Sequence, residues 1–308
     1  MIVVTGATGQ AGREVARALI AKGEHVRAFV RDPGKARQRL GERAELATGD
    51  FADSRSVRAA LEGADTLFLS CADDPRRVGW ERDAIDAAAA AGVRRVVKLS
   101  TAAAKPGSPV AFWDWHGQVE QHLRAAGIAW VILQPSWYMS NLLGAAPQVA
   151  AGGRLYAPAG QARIAMIDPR DVGAAAAAVL SSEGHEGRSY LLTGPEAITF
   201  DRVAAELSAA TASRIEFVDV PGDDAYQEMT RGGMPGFAAA QIVKTFEQLR
   251  QGVGAQVTPA VAALTGSAPR DVGTFARDHA QLFAPAAAAP GDARPGAASA
   301  SHRSSSAV

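Results

Sequence analysis

Residues 1–23 read MIVVTGATGQAGREVARALIAKG and lead from a short apolar segment directly into three glycines spaced three residues apart. The segment IVVT is typical of a strand buried in a parallel sheet, and REVARALIAKG has the apolar periodicity of a helix. Gly6 allows a tight turn, Gly9 allows the backbone to approach an anion, and Gly12 allows the helix to pack closely. The stretch predicts a loop that binds the pyrophosphate of a dinucleotide at a helix N-terminus. The alternative is that the glycines serve packing alone.

The alternation of strand and helix continues through the first half of the chain. The strand-like segments are apolar at nearly every position and read IVVTGA, HVRAFV, AELATGD, ADTLFLS, RRVVKLS and AWVILQP. The helices predicted between them cover residues 11–22, 54–62, 80–91 and 114–126, and the glycines expected at their C-termini are Gly23, Gly63, Gly92 and Gly127. This pattern predicts an α/β fold with a doubly wound (Rossmann-like) parallel sheet.

The second half has longer loops and a less regular order. Its strand-like segments read RLYAPAG, ARIAMID, RSYLLTG and IEFVDVP, and its predicted helices cover residues 170–181, 200–211, 222–231, 236–251 and 270–282. We therefore expect an NAD(P)-binding domain at 1–140 and a smaller C-terminal α/β substrate lobe at 141–283, with some elements shared between the two. Residues 284–308 are rich in Ala, Pro, Gly and Ser and are predicted to form a disordered tail.

Composition excludes several classes of function. The 308 residues contain 32 basic and 32 acidic side chains, which argues against a nucleic-acid or anionic-membrane surface. The only cysteine, Cys71, allows no internal disulfide, and the six histidines show no metal-ligand spacing. The apolar runs are shorter than the ~20 residues that span a bilayer, and a signal peptide is not expected. We expect a cytoplasmic protein with a small-molecule partner; a homodimer stays open.

Residues that follow the strands indicate which dinucleotide binds. Arg31 ends the second strand about 20 residues beyond the loop, where it suits the 2′-phosphate of NADP. Asp32 follows at once and is the alternative, a ligand of the ribose in NAD. We therefore expect NADP(H) to be preferred over NAD(H). Together with Thr8 and Gln10, which only the resemblance described next implies, the full set of predicted cofactor-binding residues is Gly6, Thr8, Gly9, Gln10, Ala11, Gly12, Arg31, Asp50, Phe51, Ser70, Cys71, Ala72, Ser100 and Pro135.

Four stretches together resemble the NmrA-like atypical short-chain dehydrogenases/reductases, and in particular the NAD(P)H:quinone oxidoreductase-like members. They read TGATGQAG, VRDPGKA, GDFAD and WHGQVEQHLRAAGIAWVILQPSWYMSNL, and the resemblance covers residues 1–283. It implies a Rossmann-like domain, a small C-terminal lobe and a substrate cleft between them. It also implies that the pyrophosphate and 2′-phosphate are held by Gly6, Thr8, Gly9, Gln10, Gly12 and Arg31.

The sequence departs from the wider superfamily at the Tyr-x-x-x-Lys pair that protonates a carbonyl. None of the four tyrosines has a lysine four residues later, and the helix after the fifth strand carries His116 and Glu120 instead. An acceptor whose reduced form is a good anion, such as a quinone, needs less acid assistance than a ketone. The leading hypothesis is therefore an NADPH-dependent oxidoreductase that transfers hydride to a planar electron-poor acceptor. The alternatives are an NADP(H)-sensing regulator without turnover and a tailoring enzyme of secondary metabolism.

The predicted catalytic residues are His116, Ser100, Tyr138 and Asn141. His116 titrates near neutral pH and is the candidate proton donor or relay; the alternative is a helix histidine bonded to a backbone carbonyl. Ser100 and its neighbour Thr101 end the fifth strand, where either hydroxyl can reach a ligand or cap a turn. Tyr138 and Asn141 belong to QPSWYMSNLL, which supplies an aromatic surface and an amide to a flat substrate, or only core packing.

Three further side chains have open roles. Lys98 shares a strand face with Ser100; as a strand-end lysine it is expected to be solvated, and the alternative is that it reaches the cofactor. Glu120 lies one helical turn beyond His116, where it orients the imidazole or faces water. Cys71 is expected to be a buried strand-end thiol rather than a reactive one.

Overall fold

The short apolar segments become strands with neighbours in one parallel sheet. A computed structural model describes residues 1–285. The strands are β1 (Ile2–Thr5), β2 (Val26–Val30), β3 (Glu45–Thr48), β4 (Thr66–Leu69), β5 (Arg95–Leu99), β6 (Ala129–Pro135), β7 (Arg154–Ala157), β8 (Arg188–Leu192) and β9 (Glu216–Asp219). Seven of them form a sheet in the order β3-β2-β1-β4-β5-β6-β8, with every pairing parallel, and β7 pairs with β9 in a separate parallel sheet. The predicted α/β parallel sheet is confirmed.

Helices cover both faces of the large sheet. They are α1 (Gln10–Ala21), α2 (Pro33–Leu40), α3 (Ser54–Leu61), α4 (Arg77–Ala90), α5 (Ala111–Ala125), α6 (Ala146–Gly152), α7 (Pro169–Leu180), α8 (Phe200–Thr211), α9 (Gly222–Arg231), α10 (Gly236–Arg250), α11 (Ala260–Thr265), α12 (Val272–Asp278) and α13 (Ala280–Phe283). A 3-10 helix, Met139–Ala145, precedes α6. One core layer holds α1 and α7, the opposite layer holds α3, α4 and α5, and a third core holds α6, α8 and α12.

Glycines follow the C-termini of α1, α3, α4 and α5 at the positions that the sequence predicted. The predicted C-terminal glycines all have a left-handed backbone, with φ of 81° at Gly23, 70° at Gly63, 75° at Gly92 and 70° at Gly127. This conformation strains any residue that carries a Cβ, so glycine fixes where each helix ends.

Two predicted elements are wrong. The segment ARIAMID (162–168) is not a strand, because it makes only isolated bridges, Ile164 with Ile198 and Ile167 with Tyr138. The helix predicted at 270–282 is two helices, since the backbone of His279 leaves helical geometry at φ −117°. The helix α2 is capped by Asp32 and begins at Pro33, which is a known start signal.

The elements after residue 140 divide between two cores. The strand β8 is the seventh strand of the large sheet, and α7 packs against α1 so closely that a Cβ on Gly173 would overlap the backbone of Glu14. Helices α6, α8, α10, α12 and α13 contribute to the third core with the β7–β9 sheet, whereas α11 packs into the first core with α7. The division at residue 140 stays a prediction, and from residue 286 onward the predicted tail lies outside the described residues.

Candidate functional site

The glycine loop between β1 and α1 closes on itself. Gly6 has φ of +63°, and its carbonyl oxygen accepts a hydrogen bond from the Gly9 amide at 2.8 Å. A Cβ on Gly12 would overlap that same oxygen, so the helix can lie this close only with glycine there. No side chain within residues 1–285 caps the N-terminus of α1. Its first-turn amides are therefore available to an anion, and the positive end of the helix favours one.

A cavity of about 860 Å³ extends from this loop along the carboxyl ends of β1, β2, β4 and β5. Every predicted cofactor-binding residue except Pro135 lines it; Pro135 lines the neighbouring cavity instead. This is the edge at which doubly wound sheets bind their ligands. The glycine cradle, the uncapped helix and the cavity together fit a dinucleotide.

At one end of the dinucleotide cavity, Arg31 and Lys35 contribute positive charge. The neighbouring Asp32 is used elsewhere, because its Oδ1 accepts a hydrogen bond from the Lys35 amide at 3.0 Å and so caps α2. The alternative role of Asp32 as a ribose ligand therefore competes with its role as a helix cap.

The third-strand loop forms another wall. The ring of Phe51 meets that of Phe29 edge to face, with centroids 5.7 Å apart. The carboxylate of Asp50 accepts a hydrogen bond from the Ala52 amide at 2.8 Å. Across the cavity, the Arg76 guanidinium lies 4.5 Å from the centre of the Trp80 ring. This wall offers flat apolar surface beside polar groups.

A second cavity of about 1500 Å³ opens between the sheet edge and the helices α9 and α10. Five residues line both cavities: Gln10, Asp73, Ser100, His116 and Tyr138. Three of the four predicted catalytic residues thus lie at the junction. The fourth, Asn141, is exposed on the 3-10 helix and lines only the larger cavity. Thr101 lines the larger cavity and a third, small cavity, but not the dinucleotide cavity.

The larger cavity has an aromatic wall made from two distant segments. Trp115 of α5 stacks on Phe237 of α10, with centroids 5.8 Å apart and planes inclined by 17°. Phe112 meets both rings edge to face. Phe237 is half exposed, at 50%, which is unusual for a phenylalanine. Such a surface suits a flat aromatic ligand.

The charges that line the larger cavity have a single sign. They are the carboxylates of Asp73, Asp224 and Glu228, and no Lys or Arg of residues 1–285 joins them. Asp73 pairs with Arg77, and Glu228 pairs with Arg231, both outside this lining. Asp224 makes no ion pair within the described chain, so its charge is available to a ligand.

A buried cluster of charges lies behind the junction. Lys98 of β5 and Glu81 of α4 are both fully buried, and their Nζ and Oε1 atoms are 2.9 Å apart. Arg77, which is also buried, lies 3.4 Å from Glu81 and pairs with Asp73. The expectation that Lys98 is solvated is wrong. An α4 carboxylate compensates its charge inside the protein, as a buried ammonium requires.

His116 contacts this cluster through one ring nitrogen. Its Nδ1 lies 3.4 Å from the Lys98 Nζ. Burial, together with the charges of Arg77 and Lys98, holds the pKa of His116 well below its ordinary value of 6.5. The imidazole is therefore neutral at pH 7, and His116 is not an imidazolium acid there.

Ser100 is held by an acidic side chain behind it. Its hydroxyl donates to Glu120 Oε1, which also accepts from Gln134 Nε2 at 2.9 Å, and the other carboxylate oxygen pairs with Arg124 at 2.9 Å. Glu120 is buried. It neither bonds to the imidazole nor faces water, so both alternatives for Glu120 are wrong. With its proton engaged, Ser100 keeps its lone pairs for a ligand.

Tyr138 and Cys71 are both protonated groups near neutral pH. Burial raises the pKa of Tyr138, and the charge of Asp73 raises it further. Burial also raises the pKa of the Cys71 thiol to about 12, with a contribution from Glu81. Cys71 is half-buried and lines the dinucleotide cavity rather than being fully buried as expected, and its raised pKa disfavours the thiolate.

Sequence reasoning missed the buried ion cluster and the contribution of α10. A signal for the cluster exists, because Lys98 interrupts an apolar strand and Arg77 and Glu81 are spaced i,i+4 on one helix. The contact between Trp115 and Phe237 has no local signal. Among residues 1–285, no group of His, Cys, Asp and Glu is arranged to hold a metal ion. Over the same residues, every helix is too short or too polar to cross a bilayer.

Residues 1–267 match the NmrA-like family, and the chain belongs to that family. It is 36% identical over 283 residues to the NAD(P)H azoreductase of Xenophilus azovorans, covering 92% of this chain and 99% of the relative. It is 39% identical over 286 residues to the (4-alkanoyl-5-oxo-2,5-dihydrofuran-3-yl)methyl phosphate reductase of Streptomyces griseus, covering 92% of this chain and 100% of that protein.

A solved structure of an NADPH-dependent quinone oxidoreductase from Escherichia coli, in complex with NADPH, superposes with a TM-score of 0.83. The two chains are 30% identical, and the match covers 90% of this chain and 99% of the other. The chain is therefore an NAD(P)H-dependent oxidoreductase of the NmrA-like family, related to the quinone oxidoreductases.

Proposed function

We propose that this oxidoreductase uses NADPH to reduce a flat, electron-poor acceptor such as a quinone at the junction of its two cavities. The observation that carries the proposal is the shared lining: His116, Ser100 and Tyr138 border the dinucleotide cavity on one side and the aromatic cavity on the other. A ligand in each cavity would meet at these three side chains.

The choice of NADPH over NADH rests on charge at the end of the second strand. Arg31 and Lys35 both line the dinucleotide cavity, where they suit the 2′-phosphate. Asp32 caps α2 through its carboxylate, which favours the same choice because a carboxylate turned toward the ribose would repel that phosphate.

The chemistry divides between cofactor and protein. NADPH supplies the hydride, so the protein must orient the two ligands and manage one proton. His116 is neutral and, through Nε2–H, donates a hydrogen bond to the acceptor oxygen as negative charge develops there. Ser100 is fixed by Glu120 and accepts a hydrogen bond from a ligand group. A reduced quinone is a stable anion, so it needs only this donor until a proton arrives.

The acceptor is proposed to be planar and either neutral or cationic. The stacked rings of Trp115 and Phe237 provide a flat apolar surface. Asp73, Asp224 and Glu228 give the cavity a negative potential, which disfavours anionic acceptors. Asn141 lies on the same cavity and is proposed to orient a polar group of the acceptor.

The proposal is tested by comparing His116→Ala with His122→Ala, a control on the same helix whose imidazole contacts Asp86 at 2.7 Å on the outer surface. We expect His116→Ala to lower kcat by about 10²-fold while the Kd for NADPH changes little. The control should retain full turnover. Unchanged kcat in His116→Ala would remove this residue from the mechanism.

A further inference from the structure

We infer that Lys98 is a positioning residue for the reaction: its ammonium holds the imidazole of His116 in the tautomer that carries the proton on Nε2. The inference rests on the proposed function, in which His116 donates a hydrogen bond from Nε2. It assigns a role in the reaction to a fully buried lysine that lies between Val97 and Leu99 in β5.

The contacts of the Lys98 Nζ define the direction of each hydrogen bond. It lies 2.9 Å from Glu81 Oε1, bonds to the Leu99 carbonyl oxygen, and lies 3.4 Å from His116 Nδ1. Burial lowers the pKa of Lys98, but the Glu81 carboxylate 2.9 Å away opposes this and favours the ammonium form. An ammonium has three N–H donors and no acceptor. Two donors are used by oxygen atoms, and the third faces His116 Nδ1. This nitrogen must therefore accept, which leaves the single ring proton on Nε2.

Charge balance keeps the imidazole neutral. The cluster holds two cations, Arg77 and Lys98, and two carboxylates, Glu81 and Asp73, which compensate each other. Two further titratable neighbours, the Cys71 thiol and the Tyr138 phenol, are uncharged near neutral pH because burial raises the pKa of each. A proton added to His116 would therefore introduce an uncompensated charge beside two cations, which burial makes costly.

The second ring nitrogen is left for a ligand. His116 lines both cavities, and none of residues 1–285 supplies a hydrogen-bond partner for Nε2. The start of α5 is also fixed, because a Cβ on Gly117 would overlap the backbone at Lys105 and Pro106. This close packing fixes the backbone that carries His116, and the Lys98 contact orients its ring.

The tautomer can be measured directly by long-range ¹H–¹⁵N correlation spectroscopy on the full chain with ¹⁵N-labelled histidine and bound NADP⁺. We expect His116 to have a protonated Nε2 and an unprotonated, hydrogen-bonded Nδ1. A protonated Nδ1 in the wild-type protein would overturn the inference. This result requires no variant, so it holds even if substitution of the buried lysine prevents folding.

Kinetics then separate positioning from a purely structural role. We expect Lys98→Met to shift His116 toward a mixture of tautomers and to lower kcat by about tenfold to a hundredfold, with little change in KM for NADPH. In a His116→Ala background, Lys98→Met should cause no further loss of kcat. Independent, multiplicative losses would mean that Lys98 acts through the fold, which would overturn the inference.

The two proposals fail in different ways. If His116→Ala leaves turnover unchanged, the proposed catalytic role of His116 fails, while the tautomer measured by NMR still tests whether Lys98 sets it. If His116→Ala lowers turnover but the wild-type protein carries the proton on Nδ1 of His116, the proposed function stands and the proposed role of Lys98 is wrong.

Discussion

The behaviour of single residues at this site follows from burial more than from residue type. From its sequence position, His116 is a candidate acid near neutral pH, but the structure surrounds it with Lys98 and Arg77 and lowers its pKa. Lys98 is likewise buried rather than solvated, and the Glu81 carboxylate 2.9 Å away compensates its charge. The sequence named His116 as a candidate, and the structure places it at the junction of the two cavities. The sequence could not predict the protonation state of His116, because that state depends on burial and on the charges of Arg77 and Lys98.

The depressed pKa of His116 predicts a specific loss of stability in acid. The unfolded chain titrates this histidine near 6.5 and the folded protein titrates it well below, so between those values the unfolded state binds more protons. The free energy of unfolding is therefore unaffected by this group above pH 6.5 and falls progressively below it. Thermal melts of His116→Gln should show a weaker decline in Tm below pH 6.5 than wild type, with His122→Gln as control. Parallel curves for wild type and His116→Gln would contradict the assignment.

The second residue-scale prediction concerns cofactor choice. Replacing Arg31 with serine should raise KM for NADPH by about tenfold or more, because a charge-assisted hydrogen bond to the 2′-phosphate is lost. KM for NADH should change little. Arg37→Ser is the matched control, since Arg37 lies on α2 and pairs with Glu42 away from the cavity. Equal increases for both cofactors would show that Arg31 does not contact the 2′-phosphate.

At the scale of elements, the sequence predicted most of the sheet because its signals are local. Continuous apolar runs marked the buried parallel strands, and left-handed glycines such as Gly23 and Gly63 marked the helix ends. The segment 162–168 misled because its apolar residues pack into the cores without a strand partner along their length. The short helix α2 has a local start signal, because Asp32 caps it and Pro33 is its first residue. Elements stabilised by tertiary packing give weaker local signals than those stabilised by their own periodicity.

The glycine loop supplies the prediction at this scale. Gly12→Ala should lower the free energy of unfolding by about 1–3 kcal/mol and weaken NADPH binding, because the added Cβ overlaps the Gly6 carbonyl and distorts the cradle. Gly79→Ala in α4 is the control, since its Cβ would enter open space and alanine raises helix stability by ~0.5–1 kcal/mol. Chemical denaturation and NADPH titration measure both effects. Normal NADPH affinity in Gly12→Ala would contradict the role of the glycine loop in binding NADPH.

At the scale of the whole molecule, the substrate cavity is assembled from segments far apart in the chain. The sheet edge contributes Ser100, α5 contributes Trp115 and α10 contributes Phe237, which only the fold brings together. Sequence patterns predicted the sheet edge as the site and the aromatic residues near His116. They could not predict the wall from α10 or the single sign of the cavity's charges, because neither is encoded in one local pattern.

This charge distribution predicts selectivity between matched acceptors. A naphthoquinone with a trimethylammonium substituent should have a higher kcat/KM than its sulfonate analogue, by about fivefold at low ionic strength, the size expected for unit charges near water. The ratio should decrease as salt screens the carboxylates. Asp224→Asn should reduce it as well, since Asp224 carries the unpaired charge. A preference for the sulfonate would contradict the proposed electrostatics.

Single-turnover oxidation of NADPH tests the central claim most directly. Enzyme preloaded with NADPH is mixed with each member of a quinone panel, and the loss of NADPH absorbance is followed by stopped flow. The account predicts rapid, acceptor-dependent oxidation in the wild-type enzyme and about 10²-fold slower oxidation in His116→Ala at equal NADPH occupancy. Tight NADPH binding without acceptor-dependent oxidation in the wild-type enzyme would contradict it.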